Sequence, residues 1–475
     1  MTTRNVNIWN RLDKTSIAIF LLLIIIGWFN IYAAVYNEEH TRIIDLSQRY
    51  GKQFVWILAT IVIAVFVVVI DTRFYFFFSY FIYGGLILML IFVLILGKDI
   101  NGARSWFQIG SLSIQPSEFA KFGTALALAA YLNSTKQDLG KLRVFIISIA
   151  IILFPAFLIV LQPDMGSAVV YFALFIVLFR EGMSPYIFVS GVLMVILFFF
   201  TLVFNNQYLT IGLISVAFAL AWVVTRKWKL CLQGLGILII VFFLIYGFNS
   251  LVIKTLKDEH IFFISVILSG GAYAVYFYNK KAISLFVIFL FLLGSLAFVN
   301  SVDFAFNNIM KPHQKERVEI LLGIKSDPHG TGYNVNQSII SIGSGGFSGK
   351  GYLQGTQTKF KFVPAQSTDF IFCTIGEEWG FLGSLIIIAL YTILMIRLVI
   401  LTERQRSDFS RIYGYGVVSV FFIHFFVNIG MAVGLVPVIG IPLPFLSYGG
   451  SSLWAFTIML FIFLRLDASR AEYLV

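Results

Sequence analysis

Asp369 lies where a polar segment gives way to an apolar one. The polar loop 303–368 ends just before it, and a long apolar stretch follows. A carboxylate at the mouth of a membrane-embedded cavity can act as a general base and remove a proton from a hydroxyl group. The alternative is structural, because Ser367 or Thr368 can cap a helix whose first turn then contains Asp369. Spacing alone leaves both interpretations open.

Glu118 and Lys121 form a second cluster. Pro116 suits the first turn of a helix, and Glu118 then lies near the positive end of the helix dipole. Because Glu118 and Lys121 are three residues apart, they share one helix face. Ionisable side chains at membrane depth are costly and indicate function, although an ion pair between these two could be purely structural. Arg104 and Trp106, just upstream, are either ligand contacts or interfacial anchors.

The loop 303–368 is basic and contains a glycine-rich run at 343–351. Glycine permits close backbone approach and positive φ, and successive N–H groups can form an anion-binding nest. The run is not a P-loop, because the Gly-x4-Gly-Lys-Ser/Thr pattern is missing. An ordered cationic loop would suit a pyrophosphate or an anionic glycan, whereas a solvated charged loop is the alternative. Its basic residues include Lys315, Arg317, Lys350, Lys359 and Lys361.

Three further carboxylates and one histidine lie in or beside apolar segments. Asp164, after Gln-Pro, is predicted to cap the next helix rather than to do chemistry. Glu377 and Glu378 would lie about 12–14 Å further into the membrane than the start of their helix, and Glu378 must be paired, protonated or in contact with water. His424 stands alone in an apolar segment, which favours a packing role over metal binding.

The segment 434–452 is rich in proline and hydroxyl groups. Pro437, Pro442 and Pro444 forbid a continuous helix there. Non-helical backbone at membrane depth is tolerated only where it is buried in protein or lines a wet cavity. Ser447 begins the hydroxyl-rich stretch that leads into the last apolar segment.

The composition is that of a membrane protein throughout. Of 475 residues, 59% are hydrophobic and 12% are charged, whereas soluble domains have roughly 25% charged residues. The net charge of +11 is expected to set topology and contact anionic lipids, not nucleic acid. The first apolar run can span by itself, so no cleavable signal peptide is predicted. Cys231 and Cys373 indicate neither a disulfide framework nor a metal site.

Apolar runs of spanning length predict an all-α polytopic fold with about fourteen transmembrane helices. The predicted spans are 16–35, 53–70, 74–97, 118–132, 144–161, 165–179, 184–204, 207–225, 230–253, 260–278, 282–302, 369–396, 412–435 and 448–464. With both termini inside, every inner loop carries a cation, which agrees with the positive-inside rule. The loop 303–368 is then external.

These clusters, in this order, resemble the SEDS (shape, elongation, division and sporulation) family. The specific matches are Gln162-Pro163-Asp164, the Gly-Ser-Gly-Gly run, 368–372 and 444–452, and the resemblance covers 1–200 and 305–475. The loop before Asp369 is more similar to the rod-shape (RodA-like) branch than to the division (FtsW) branch. SEDS proteins usually have ten spans, so we expect about four extra helices. The expected segments are 1–205 (N-terminal helices with the outer Arg104–Lys121 motif), 206–304 (extra helices), 305–368 (external catalytic loop) and 369–475 (C-terminal helices).

The resemblance implies a peptidoglycan glycosyltransferase of the bacterial inner membrane. It would polymerise lipid II, the polyprenyl-pyrophosphate-linked disaccharide-pentapeptide, beside a class B penicillin-binding protein that crosslinks the strand. Asp369 matches the family's essential aspartate and would be the base, and a divalent cation (Mg or Mn) could share the charge of the leaving group. The expected substrate-binding residues are Arg104, Trp106, Glu118, Lys121, Gln314, Lys315, Arg317, Lys361 and Ser447.

The sequence departs from the family pattern near the proposed base. The family commonly has Pro-Glu and a histidine before Thr-Asp, whereas Ala365 and Ser367 stand here. A role of that glutamate would be absent or moved in this chain.

Two other functions fit the residues. Intramembrane Glu118, Lys121 and Glu378 with broken helices also suit a flippase or transporter, although no inverted repeat is visible. A non-catalytic scaffold for cell-wall enzymes is the third possibility. Without the resemblance, the residues favour a transporter.

Overall fold

The computed structural model describes residues 8–36, 45–100, 103–110, 112–136, 138–226, 228–253, 258–279, 283–308, 315, 333–360 and 362–470. The chain forms two compact units, one of Met1–Pro185 with Asp327–Val475 and one of Tyr186–Ser326. The predicted site residues Gln314, Arg317 and Lys361 lie outside the described residues.

The described part of the first unit is helical apart from three short strands. Its N-terminal elements are α1 (Ile8–Arg11), α2 (Lys14–Val35), α3 (Arg49–Val69), α4 (Thr72–Phe77), α5 (Ser79–Leu96), β1 (Lys98–Ile100), β2 (Ala103–Ile109), β3 (Leu112–Ile114), α6 (Pro116–Ser134), α7 (Leu142–Leu161), α8 (Met165–Val169), a 3₁₀ turn (Val170–Ala173) and α9 (Leu174–Arg180).

The second unit follows in the chain. It consists of α10 (Pro185–Val203), α11 (Asn206–Thr225), α12 (Trp228–Phe248) with a π turn at Asn249–Ile253, α13 (Asp258–Asn279) and α14 (Ile283–Asn308). The C-terminal elements of the first unit are α15 (Tyr333–Ser344), α16 (Thr356–Lys359), α17 (Ile371–Glu403), α18 (Asp408–Ala432) and α19 (Gly450–Ala468).

Each of the fourteen predicted spans falls on a helix. Eleven described helices are long and apolar enough to cross a membrane, so the polytopic α-helical class is confirmed. The other three predicted spans fall on Pro116–Ser134, which is less apolar, and on the shorter apolar stretches Met165–Arg180 and Ile261–Gly271. The exact number of crossings therefore stays a prediction.

The small antiparallel sheet was not expected from the sequence. Strand β2 pairs with β1 on one side and β3 on the other, with Lys98 opposite Trp106 and Phe107 opposite Ile114. The hydroxyl of Ser451 joins the end of this sheet to the start of α19, because it donates to the Ser113 carbonyl at 2.9 Å. The sheet is thus bonded to the start of α19, and its last strand ends two residues before α6 begins.

The last two helices and α6 form the centre of the first unit. In α19, 83% of the spanning window is buried, against 22% in α5. Small side chains allow the central helices to approach closely; a Cβ on Gly416 of α18 would lie 3.1 Å from the Ala125 methyl of α6. The centre of the unit is therefore closely packed, and its polar groups need internal partners.

Ion pairs join the helices at one end of the first unit. Arg397 at the end of α17 binds Asp13, the N-cap of α2, with its Nε 3.1 Å from Oδ1. Asp467 at the end of α19 accepts from Arg404, Gln405 and Arg470. Residues from near both termini, 10–15 on one hand and Ala468 and Arg470 on the other, line one cavity there. The first and last described segments thus lie on the same side, as predicted for the two ends of the chain.

The second unit is a separate bundle. Helices α11 to α14 pack around a small apolar cluster of Ile214, Val266, Leu292 and Leu296, and Phe242 of α12 stacks on Phe262 of α13 with ring centroids 4.4 Å apart. The predicted extra segment 206–304 lies within this unit. That these helices are the ones added to the ten-helix pattern stays a prediction.

The buried carboxylate of Asp467 is expected to be essential for stability. Asp467 is completely buried and pairs with Arg404. Asp467→Asn leaves this arginine without its counter-charge. Breaking a buried pair costs about 3–5 kcal/mol, so thermal unfolding of the purified protein should shift to clearly lower temperature. In the control, Asp408→Asn removes an exposed pair with Arg411, which should cost about 0–1 kcal/mol. Equal shifts would contradict the assignment.

Candidate active site

Three consecutive backbone carbonyls, of residues 367–369, accept hydrogen bonds from α18 and from the proline-rich segment 434–452. The Tyr448 N–H donates to the first at 2.8 Å, the Ser447 hydroxyl donates to the second at 2.6 Å, and the Asn428 amide donates to the third at 2.8 Å. Since a buried carbonyl without a partner is costly, these bonds fix the backbone that carries the Asp369 side chain.

Two residues of α18, one turn apart, position the proline-rich segment. The Asn428 amide also donates to the Ile441 carbonyl at 2.8 Å, and His424 Nδ1 donates to the Pro442 carbonyl at 2.9 Å. The prolines leave fewer backbone donors in this segment, so side chains supply them. The segment turns through positive φ at Gly440 (+69°) and Phe445 (+67°).

The Asp369 carboxylate itself is only partly exposed, and within the described part of the chain it has no hydrogen-bond or ion-pair partner. A Cβ on Gly440 would lie 3.3 Å from Asp369 Oδ2, so glycine keeps this face open. Burial, and next the negative charge of Asp164, raise the pKa of Asp369 from 3.8 to about 6. A carboxyl group with this pKa is able to exchange a proton near neutral pH.

Asp164 caps α8, as the sequence predicts. Its Oδ1 accepts from the Ser167 N–H at 3.1 Å, and its Oδ2 accepts from the Gln115 side chain at 2.9 Å. Gly166 brings α8 against the proline-rich segment, because any Cβ there would clash with the Ile439 carbonyl. The cap therefore has a second effect, which is to place a negative charge close enough to act on Asp369.

Glu118 and Lys121 form a buried ion pair. Lys121 Nζ lies 2.7 Å from Glu118 Oε1 and 2.9 Å from His424 Nε2. Because the Pro442 carbonyl can only accept, His424 Nδ1 carries the proton and Nε2 accepts from the lysine. His424, for which a packing role was predicted, thus bonds to both the ion pair and the proline-rich segment. Glu118 Oε2 is buried without a partner in the described structure.

Glu377 anchors the outer loop. The carboxylate is fully buried and accepts from Lys350 Nζ at 2.8 Å and from the N–H groups of Gln357 and Thr358 at 2.8 Å each. These bonds satisfy the first turn of α16 from a different helix. Glu378 is also buried, and its Oε2 has no hydrogen-bond partner among the described residues.

The glycine-rich run packs against a break in α17 rather than forming an anion nest. Gly380 has φ +65° and ψ −156°, which interrupts the helix. The Lys350 and Gly351 N–H groups donate to the carbonyls of Glu377 and Glu378 at 3.0 Å each. A Cβ on Gly345 would clash with the Gly376 carbonyl. The glycines are therefore required for close backbone approach, and these two N–H groups are already used.

Arg49 is a cation near the site that the sequence interpretation did not single out. Its Nη1 donates to the Ser367 hydroxyl at 2.8 Å, two residues before Asp369, and its guanidinium lies 5.8 Å from the Tyr448 ring centroid. The side chain is otherwise exposed. An exposed arginine at the head of α3, on the predicted outer side, is itself a signal because it runs against the positive-inside rule.

The other predicted site residues that the structure describes are Arg104, Trp106, Lys315 and Ser447. Arg104 is exposed and Trp106 is partly exposed on β2. Lys315, in the second unit, donates to Asn307 at 3.0 Å. Ser447 is buried, and its hydroxyl both donates to Thr368 and accepts from the Leu443 N–H at 2.9 Å. It positions the backbone, and a direct substrate contact stays a prediction.

Within the described residues, no three His, Cys, Asp or Glu side chains converge in a way that could hold a metal ion. The negative charge of Asp164 acts on Asp369. Magnesium commonly uses one or two carboxylates together with substrate phosphates, so Asp164 beside this site fits a cation that arrives with its ligand.

Helices of spanning length, and the Asp369 carboxylate without an ion-pair partner among the described residues, define a polytopic membrane protein with a candidate site at the membrane boundary. The family model described as "Cell cycle protein" (FtsW, RodA and SpoVE) matches residues 13–215 and 210–472. The chain belongs to this family, which is the SEDS family named above.

Relatives match over nearly their whole length. The peptidoglycan glycosyltransferase RodA of Treponema pallidum is 32% identical, with 96% of this chain and 98% of the relative covered. The peptidoglycan glycosyltransferase MrdB of Escherichia coli K12 is 28% identical, with 94% and 91% covered. The solved structure of Thermus thermophilus RodA is 22% identical with a TM-score of 0.55, covering 97% of this chain and 98% of that one; it supports the fold alone.

The glycine at position 345 should be essential for packing of the outer loop. Gly345→Ala places a methyl group against the Gly376 carbonyl, and such overpacking costs about 1–3 kcal/mol. Gly343→Ala, two residues earlier in α15, meets nothing within 4 Å and should be neutral or stabilise by up to about 1 kcal/mol. Thermal unfolding of both variants checks this; a normal melting temperature for Gly345→Ala would contradict it.

The raised pKa of Asp369 predicts a pH-dependent cost in stability. Folding favours the protonated form, so stability falls as pH rises from about 4 to about 6, and the cost is complete above that. Asp369→Asn should therefore stabilise the protein by about 1–3 kcal/mol at pH 8 and much less at pH 4. The control is Asp138→Asn, which changes an exposed carboxylate. Destabilisation by Asp369→Asn at pH 8 would contradict the unpaired environment.

Proposed function

We propose that the chain is a peptidoglycan glycosyltransferase that polymerises lipid II on the outer face of the bacterial inner membrane. The carrying observation is the Asp369 carboxylate, which is unpaired in the described structure, has a pKa of about 6 and sits on a backbone held by three side-chain and backbone donors. The glycosyltransferase names of the RodA and MrdB relatives support the same activity.

In the proposed reaction, Asp369 removes the proton of the acceptor sugar 4-hydroxyl as its oxygen attacks the anomeric carbon of the donor. The new bond is a glycosidic C–O bond, and the bond that breaks joins the donor sugar to polyprenyl pyrophosphate. A base is most effective when its pKa lies near the working pH. Because the deprotonated form is required, activity should rise with pH through about 6.

Charge accumulates on the pyrophosphate oxygens as the leaving group departs, and cations fixed in place would stabilise it. Arg49 is suited to this role, because it is exposed and bonded to Ser367 beside Asp369. Arg104, Lys315, Arg317 and Lys361, with Gln314 and Trp106, remain proposed substrate contacts.

Lys121 has a different proposed role. It is enclosed with Glu118 and His424 and is 2% exposed, so we assign it to positioning. The chain from Glu118 through Lys121 and His424 to the Pro442 carbonyl holds the segment that faces Asp369. Glu118 acts in the same way, as the counter-charge of the lysine.

A divalent cation, Mg or Mn, is proposed to bind with the substrate. Asp164 would hold it together with the substrate phosphates, which leaves Asp369 free as the base, and the cation would neutralise charge on the pyrophosphate. Removing divalent cations with a chelator should then lower polymerisation, and adding Mg or Mn should restore it.

A class B penicillin-binding protein is the proposed partner. A solved structure described as a peptidoglycan synthase complex that coordinates polymerization and crosslinking matches this fold with a TM-score of 0.59. A polymerase that makes glycan strands needs a transpeptidase to join them, which supports the pairing for this chain.

Polymerisation of lipid II by the purified protein tests the function. Asp369→Asn keeps the side-chain shape and removes the base, so the rate should fall by about 100- to 10,000-fold. Asp138→Asn, which changes an exposed carboxylate in the loop that follows α6, should retain the wild-type rate. A wild-type rate for Asp369→Asn would overturn the base assignment.

The same preparation distinguishes the transporter. Wild-type protein in vesicles with labelled lipid II should yield glycan polymer. Movement of the lipid between leaflets without any polymer would overturn the glycosyltransferase and favour a flippase. If the vesicles show neither polymer nor lipid movement, and Asp369→Asn does not affect growth, the non-catalytic scaffold is favoured.

A further inference from the structure

A cavity of 530 Å³ lies at the end of the first unit opposite Asp369. It is formed where α2 begins and where α17 and α19 end. Its walls include the helix-joining residues Asp13 and Arg397. By the charge distribution of the loops, this end is the cytoplasmic one. The proposed transferase reaction does not use it.

Positive charge dominates the cavity. Five cations line it: Arg11, Lys14, Arg397, Arg404 and Arg470. Two carboxylates balance part of this charge. Asp13 is bound by Arg397, and Asp467 is bound by Arg404 and Arg470. The cations thus exceed the carboxylates by three, and two of the cations, Arg11 and Lys14, are not among the ion pairs found in the described structure.

Arg11 provides a second, independent observation. Its Nη1 is buried and has no hydrogen-bond partner among the described residues. A buried guanidinium donor without an acceptor costs free energy comparable to a lost charged hydrogen bond. Arg397 and Arg404, which are partly exposed at this end, each have a carboxylate partner. An acceptor that enters the cavity would remove this cost.

We propose that this cavity binds a phosphate group, that of an anionic phospholipid head group or of a soluble phosphate. Arginine forks match phosphate oxygens in pairs of parallel hydrogen bonds. Asn10 and Thr15, which also line the cavity, add neutral donors. The volume is sufficient for a phosphate with a small attached group. Arg11 and Lys14 are the selective ligands, because the other three cations are already engaged by carboxylates.

The test uses full-length purified protein in detergent, with thermal unfolding as the readout. Three probes are titrated separately: a short-chain phosphatidylglycerol, a short-chain phosphatidylcholine and inorganic phosphate. Saturable stabilisation by phosphatidylglycerol alone would assign the site to an anionic lipid. Saturable stabilisation by inorganic phosphate, with or without the lipid, would assign it to the phosphate group itself. Phosphatidylcholine should have a much weaker effect.

The variant Arg11→Gln/Lys14→Gln should weaken the apparent affinity by about thirtyfold, since each basic residue near an anionic surface contributes about a fivefold change. The matched control is Lys136→Gln/Arg143→Gln, which removes two exposed cations, one from the loop after α6 and one from the first turn of α7, and should leave the affinity unchanged. Arg11→Lys keeps the charge and should have an intermediate effect. The melting temperature of the Arg11→Lys variant without ligand shows whether the site remains folded.

The proposal is overturned if no probe stabilises the wild-type protein, or if the Arg11/Lys14 variant and the control respond equally. Lipid II polymerisation by the Arg11/Lys14 variant is measured in parallel. Because these residues lie at the opposite end from Asp369, loss of phosphate binding with normal polymerisation separates this site from the proposed transferase.

Discussion

The clamp on the carbonyls of residues 367–369 is the interaction on which the site depends. A carboxylate at a membrane boundary would normally find a cation or rotate into water. Here the backbone cannot move toward either, because three adjacent carbonyls are bonded to donors from two other segments. The donors are in turn fixed by α18 and by the proline-rich segment. The geometry of the acid therefore follows from the folding of the whole C-terminal region.

The two ends of the first unit use charge in opposite ways. At the basic end, the buried carboxylates Asp13, Glu181 and Asp467 are each paired with arginine. At the other end, Glu118 and Glu377 have lysine partners, but Asp369 does not have one in the described structure. Pairing holds helices together, whereas an unpaired carboxyl group retains its capacity for proton transfer. Stability and reactivity are thus assigned to different carboxylates.

Local patterns predicted much of this fold. Apolar runs located the helices, Pro116 marked the start of α6, and Asp164 was correctly assigned as a cap, because each of these depends on neighbours within one or two turns. The Glu118–Lys121 pair followed from spacing of three residues.

Long-range partners could not be predicted in the same way. The bond from Arg49 to Ser367 joins residues 318 apart, and no periodicity encodes it. The glycine run was a candidate anion nest, since glycine alone does not tell whether its close neighbour is a ligand or the backbone of another helix. The strands of β1 to β3 are three to seven residues long, too short to give a distinct alternating pattern beside the apolar segments.

The break at Gly380 also determines how α17 relates to bilayer thickness. As an unbroken helix, its 33 residues would extend about 50 Å, well beyond the hydrocarbon core of about 30 Å. The segment after the break, 381–403, is about 35 Å long and can match the lipid by tilting slightly. The part before it is held by the outer loop instead. In a thicker or thinner membrane, the segment 381–403 would then change its tilt. The position of Asp369 relative to its neighbours would stay the same.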